Sequence, residues 1–381
     1  MSRTILGIER IDEFKELFEN KRVGLITNPT GIDGNFKSSI DILREKTNLV
    51  GLFSPEHGVR ASIQAGQHLE TYIDDETGIT VYSLYGKTRH PSKEIMDKLD
   101  VMTIDIQDVG SRYYTFIYTM VYCMQACAEY GKKFVVFDRP NPINCEKVEG
   151  NILDLKYRSF VGYYPIPQRH GLTIGELALL FNKEYEINCD LEVIPMLNYE
   201  RWMSFEDTKL PWVIPSPNFP TIATAYAYNA TCVLEGTNVA EGRGTTTPFE
   251  IFGAPWMKSE TLARQLNELN LPGVYFRPQY FTPTFAKYAK ELCGGVFVHI
   301  TDREAFHSIK TSWAILRVIR ENYKEHFEIT PPYVEGRPCM FEFETGCDYI
   351  RDMTYSLQEE WDILDKDEAS FKEVRKNYLI Y

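Results

Sequence analysis

Short apolar runs recurring between amphipathic stretches through the first half of the chain are the feature that most narrows its fold. Val23–Thr27, Leu49–Phe53, Thr80–Leu84, Val101–Ile106 and Phe134–Phe137 read as strands, and Ser38–Lys46, Lys93–Lys98 and Tyr113–Tyr130 carry helical periodicity between them. Strand–helix alternation of this kind builds a mainly parallel sheet covered by helices, an α/β architecture. A helix over Thr173–Lys183 and a strand over Leu191–Ile194 extend it, while the Pro- and Trp-rich segment from Pro211 to Thr221 reads as a loop. From Pro248 onward the texture changes to helices over Leu262–Leu269 and Ile309–His326 and a strand over Gly295–Ile300. A chain of 381 residues exceeds what one core ordinarily serves. The sequence therefore predicts two domains, 1–245 and a smaller α+β domain over 246–381.

The loop after each predicted strand is polar and marked by Gly or Pro: Asn28-Pro29-Thr30, Pro55-Glu56-His57-Gly58, Tyr85 to Arg89, Gln107 to Arg112, and Asp138 to Pro142. Ligands of open parallel sheets bind beyond the carboxyl ends of the strands, so these loops would meet on one edge. A single loop of this composition is an ordinary turn; five in register point to a site.

Glu56, on a tight turn beside His57, suits proton transfer, because burial and neighbours can tune a carboxyl held there. Asp105 and Asp108 converge only if the strand ends between them, which Val109-Gly110 suggests. Asp108 is then the better cleft residue and Asp105 a pin for the loop. Arg112, at the start of the Tyr113–Tyr130 helix, would set a guanidinium beside helix N–H groups and bind an anionic group, with Arg60, Arg89 and Arg139 near the same edge. Three glycines and small polar residues in Glu235–Thr245 mark a second functional loop or a junction. Glu235 and Glu241 flank it, either as a second carboxylate of the kind glycoside hydrolysis uses or as braces between domains, and Arg243 lies within it. Asn28, Tyr113 and Asn218 complete the set of expected substrate-binding residues.

Several classes lose support. With 54 acidic against 41 basic residues the net charge is −13 and no basic patch stands out, which disfavours a nucleic-acid or anionic-membrane partner. The usual dinucleotide, P-loop and serine-hydrolase motifs are missing. His57, Asp105, Asp108 and Glu56 have no recognised metal-ligand spacing, so neither a metal nor another cofactor is expected. Eight scattered Cys without CxxC read as buried free thiols of a reducing compartment. The start MSRTILGIERIDEF has no signal-peptide core, so a soluble, cytoplasmic protein is expected from the chain as given.

The segments GLITNPTG, LFSPEHGVR, SLYGKTRHPS, DIQDVGSRYYTFIYTM, FDRPNPI, RHGLTIGELA, PSPNFPT, LEGTNVAEGRGTTTPFEIFGAPW and FRPQYFTPTFAKY, in order from about residue 20 to beyond 300, resemble the NamZ-type exo-β-N-acetylmuramidases. That resemblance implies a Rossmann-like N-terminal domain without a nucleotide, a smaller C-terminal domain and a cleft between them. It also implies release of N-acetylmuramic acid from the non-reducing end of peptidoglycan fragments, with Glu56 of PEHG as the catalytic acid. Roles for His57, Asp108, Arg112, Tyr113 and Glu241 are assigned from their chemistry alone, and Arg112 or Arg60 is expected to bind the sugar's lactyl carboxylate. Two competing readings remain: a metal-dependent hydrolase using the His57 and Asp108 loops, and a non-catalytic module binding a sugar or nucleotide.

Overall fold

The computed structural model describes residues 2–56, 58–60, 70–85 and 89–381. Among them, the first part of the chain forms a seven-stranded sheet from β1 (Arg22–Thr27), β2 (Asn48–Ser54), β3 (Tyr72–Ile73), β4 (Thr80–Ser83), β5 (Val101–Asp105), β6 (Lys133–Phe137) and β7 (Asp190–Ile194). The spatial order is β3-β4-β2-β1-β5-β6-β7, and all neighbours are parallel except β3 with β4. Strands buried on both faces explain the uninterrupted apolar runs: every residue of β5 is buried, as is all of β1 after Arg22. The six strands expected in this part are present to within about two residues at each end; β3 carried no signal.

Helices α1 (Ser39–Lys46), α2 (Lys93–Met96), α3 (Phe116–Tyr130) and α4 (Ile174–Glu184) belong to this part, and α5 (Ile222–Thr231) leads out of it and packs against the helix over Ser308–Asn322 and the strand over Cys293–Ile300. The helix predicted from Tyr113 begins at Phe116, because Tyr113 and Tyr114 turn inward and are buried. Helix α4 opens on a reciprocal capping box between Thr173 and Glu176, which satisfies two N–H groups at once.

The remainder holds a three-stranded antiparallel sheet of β8 (Ile251–Ala254), β9 (Val274–Phe281) and β10 (Cys293–Ile300) in the order β8-β10-β9. Helices α6 (Ser259–Glu268), α7 (Ser308–Asn322), α8 (Met340–Thr345), α9 (Tyr349–Asp352) and α10 (Leu357–Arg375) surround it, and its core gathers Phe252, Leu262, Val296, Ile309 and Trp313. Sequence reading missed β9, whose Pro278 fits only an edge strand. It also missed α10, although Ser356 and Glu359 form a capping box at its start. Helix α10 reaches back onto the first part: Glu368 accepts the Gly150 N–H at 2.8 Å, and Arg375 donates to the carbonyls of Cys145 and Gly171 at 2.8 and 2.6 Å. All eight cysteines are buried and unpaired. Among the described residues no helix is long and apolar enough to cross a membrane.

Candidate active site

The strand order changes direction at β1, so the crevice between the ends of β1 and β5 is where a doubly wound sheet ordinarily takes a nucleotide. Here it is filled by the protein itself. The Asp105 carboxylate, fully buried at the end of β5, forms two bonds with Arg139, at 2.6 and 2.8 Å, and accepts the Ser39 hydroxyl. Asn28 is buried with its amide against the Pro215 carbonyl and its carbonyl oxygen capping Thr30. Asp105 thus pins loops, as its position suggested.

The open cavity lies to one side, over the ends of β2, β4 and β5, and holds about 480 Å³. That is within the range of small-molecule sites, a few hundred to about 1,000 Å³. Glu56 enters from the turn after β2, where Gly58 takes φ +87°, a value side chains other than Gly rarely adopt. Half-buried, its Oε2 accepts the hydroxyl of Thr115 at 3.1 Å. Thr115 is the residue before α3, so the positive end of that helix faces the carboxylate. The Tyr85 phenol is pushed up to about 12 by burial and by the neighbouring Glu56 carboxylate, which keeps it a donor at physiological pH. Tyr114, Phe219, Tyr228 and Phe249 pack edge-on and tilted at 4.7–5.9 Å to form an apolar floor. Phe160, Tyr333, Met340 and Phe343 complete the rim.

The opposite wall comes from the glycine-rich segment, where Gly242 and Gly244 take φ +81° and +82° and fold the chain back. Glu235 faces the cavity and is held by Arg243 at 2.8 Å. The same guanidinium binds Glu241 at 2.9 Å, and Lys287 binds the other Glu241 oxygen at 3.0 Å. Burial would raise the Glu241 pKa, but Lys287 and Arg243 hold it below the ordinary carboxylate value. Behind Glu235 lies Glu344, fully buried, whose pKa is raised well above the usual range by burial and then by Glu235.

Five of the expected site residues line the cavity: Glu56, Tyr113, Asn218, Glu235 and Arg243. His57 lies outside the described residues. The other five do not line it. Arg112 was expected to present its guanidinium to an anion; instead it is fully buried and donates to the carbonyls of Asn151, Ile166, Glu344 and Thr345, tying the two halves together. Arg60 is paired with Asp74 at 3.0 Å on a separate surface. Asp108 was the preferred cleft carboxylate, yet it is buried against His170 at 3.2 Å and caps the Gly110 N–H at 2.7 Å. Asn28 holds loop backbone, and Glu241 holds the two cations of the far wall. Tyr85, Thr115, Phe160, Ser216, Tyr228, Phe249, Tyr333, Met340 and Phe343 also line the cavity but were not singled out. SLYGKTRHPS and RYYTF contain the first two, whereas no pattern flags residues 333–343.

Two groups of donors among the described residues are close enough to share a metal: Cys232, Glu235 and Glu344, and His307, Asp365 and Glu368. Neither contains Asp108. In the first, Arg243 already supplies a positive charge to Glu235, and burial disfavours the charged form of Glu344. In the second, His307 is engaged with Glu368 at 3.0 Å and caps α7. The donor chemistry thus matches ion pairs and hydrogen bonds better than a cation site.

Residues 23–223 match the family described as exo-beta-N-acetylmuramidase NamZ, N-terminal, and residues 226–381 match its C-terminal counterpart. A peptidoglycan beta-N-acetylmuramidase NamZ of Bacillus subtilis (strain 168) is 48% identical, over 98% of this chain and 91% of that protein. Two crystal structures of DUF1343 family proteins from Bacteroides fragilis superpose with TM-scores of 0.91 and 0.80 at 39% and 36% identity, each covering 100% of this chain and 99% of the other. By both halves of its sequence and by its fold, the chain belongs to the NamZ exo-β-N-acetylmuramidase family.

Proposed function

We propose that this protein is an exo-acting glycoside hydrolase that releases N-acetylmuramic acid from the non-reducing end of peptidoglycan fragments, with Glu56 as the general acid. The observation that carries the assignment of Glu56 is its place on the wall of the 480 Å³ cavity, beside the Thr115 hydroxyl and the Tyr85 phenol at the positive end of α3. The activity itself is supported by the match of both halves to the family and by the Bacillus subtilis relative.

In this reading the aromatic floor packs against a sugar face. Glu56 passes its proton to the glycosidic oxygen as the bond to the anomeric carbon breaks. The substrate's own 2-acetamido oxygen attacks that carbon from the face opposite the leaving oxygen, and water then opens the ring so formed from the vacated face, giving its proton back to Glu56, a substrate-assisted route used by some glycosidases. Glu235, fixed by Arg243, accepts the acetamido N–H and orients that group. One protein acid and one orienting carboxylate then suffice, without a metal.

The direct test is release of 4-nitrophenol from 4-nitrophenyl β-N-acetylmuramide by wild type and Glu56→Gln, with the N-acetylglucosaminide as control. Release from the muramide alone, lost in the variant, is the expected result. No release by wild type would overturn the activity; undiminished release by the variant would overturn the role of Glu56.

A further inference from the structure

Of the arginines near the strand ends, all but one are committed. Arg139 is locked to Asp105, Arg60 to Asp74, Arg112 to four carbonyls, and Arg243 to Glu235 and Glu241. Arg89 is the exception: it lines the cavity, is exposed, and forms no ion pair with any described carboxylate. The positions outside the described residues contain no Asp or Glu that could supply one.

Its guanidinium is nevertheless held in place. The central carbon sits 3.8 Å from the centre of the Phe160 ring and 5.9 Å from that of Tyr85. Stacking of this kind uses the flat face of the group and leaves N–H donors along its edge for a planar acceptor. Carboxylate is the acceptor whose two oxygens match that edge. Tyr85 also lies beside Glu56, so the guanidinium stands one side chain away from the proposed acid. In a protein of net charge −13, an uncommitted cation pre-ordered inside the cavity is not explained by packing alone.

We infer that Arg89 is the receptor for the carboxylate of the substrate's 3-O-lactyl group, and so the residue that distinguishes a muramic acid from a neutral N-acetylhexosamine. The inference rests on the muramidase reading of the cavity. It replaces Arg112 and Arg60, which were expected in this role, with a guanidinium that lines the cavity and has no carboxylate partner among the described residues.

The experiment compares 4-nitrophenyl β-N-acetylmuramide with its lactyl methyl ester, the same sugar without the charge, in wild type and Arg89→Met. Methionine keeps an unbranched stem over Phe160, and thermal unfolding checks that the variant is folded. For wild type the acid is expected to exceed the ester in kcat/KM by about 10–100-fold, the worth of a charge-assisted hydrogen bond. In Arg89→Met that ratio is expected to fall towards one, mainly through KM. Retention of the wild-type ratio, or equal loss on both substrates, would overturn the inference. Calorimetric binding of free N-acetylmuramic acid and its methyl ester to both proteins separates this from the activity assignment. If wild type hydrolyses neither glycoside the catalytic reading fails, while selective weakening of the acid by Arg89→Met still supports Arg89, and identical binding to both proteins rejects it.

Discussion

The two walls of the cavity both present glutamates, but in opposite company. On the sheet side, Glu56 has the Thr115 hydroxyl and the Tyr85 phenol among its neighbours. On the far side, Glu235 and Glu241 are gripped by Arg243, and Glu241 also by Lys287. Protonating Glu241 would take Lys287's carboxylate partner away and leave Arg243 with Glu235 alone in a mostly buried setting. On the proposed reading one residue type has three tasks: Glu56 gives a proton, Glu235 orients the substrate and Glu241 holds the far wall together.

Substitutions can break this contrast. Glu56→Gln should lower kcat by about 10³-fold, within the usual range for losing a general acid, with little change in melting temperature. A large stability loss with modest loss of rate would put Glu56 in the framework instead. Glu241→Ala should do the reverse, costing about 3 kcal/mol in denaturant unfolding because Lys287 and Arg243 lose a buried partner. Tyr85→Phe sharpens the picture on the sheet side: it keeps the ring under Arg89 and removes only the hydroxyl, so a loss of roughly tenfold in kcat/KM is expected, the worth of one hydrogen bond.

The smallest effect concerns pH. Glu344 is raised by burial and then by Glu235, so its contribution to stability is complete below the unfolded value of about 4.3 and is lost as pH rises towards the folded value. Glu241, lowered by its cations against its burial, contributes in full above about 4.3 and loses that contribution as pH falls through the folded value. Glu344→Gln, which removes the charge at this position, should therefore cost less than about 1 kcal/mol and flatten the decline in melting temperature as pH rises above about 4.3. An unchanged decline would show that Glu344 is ionised in the fold.

Much of the architecture was legible because strands buried on both faces leave apolar runs, and because loops at their ends carry Pro, Gly and charge. The site was legible only in part. Glu56 stood out by its turn and lines the cavity, yet Arg112 and Asp108, with similar chemical labels, are buried away from it. The difference lies in which distant atoms satisfy them, carbonyls at 151, 166, 344 and 345 for Arg112 and His170 for Asp108. Local sequence does not encode those partners. The rim at Tyr333, Met340 and Phe343 was invisible for the same reason: only tertiary packing brings it to the cavity that Glu56, Tyr85 and Thr115 line.

The reach of α10 back to the first part has a consequence in time. The Gly150 N–H waits for a carboxylate 218 residues further along, and the Cys145 carbonyl for a guanidinium 230 residues on. At ribosomal speeds of about 5–20 residues per second, roughly 11–46 s separate the emergence of these loops from that of their partners. During that interval the sheet can assemble while the loops beside it stay unfinished, so the nascent chain is most open to chaperones, or to mispairing, while α10 is still being made.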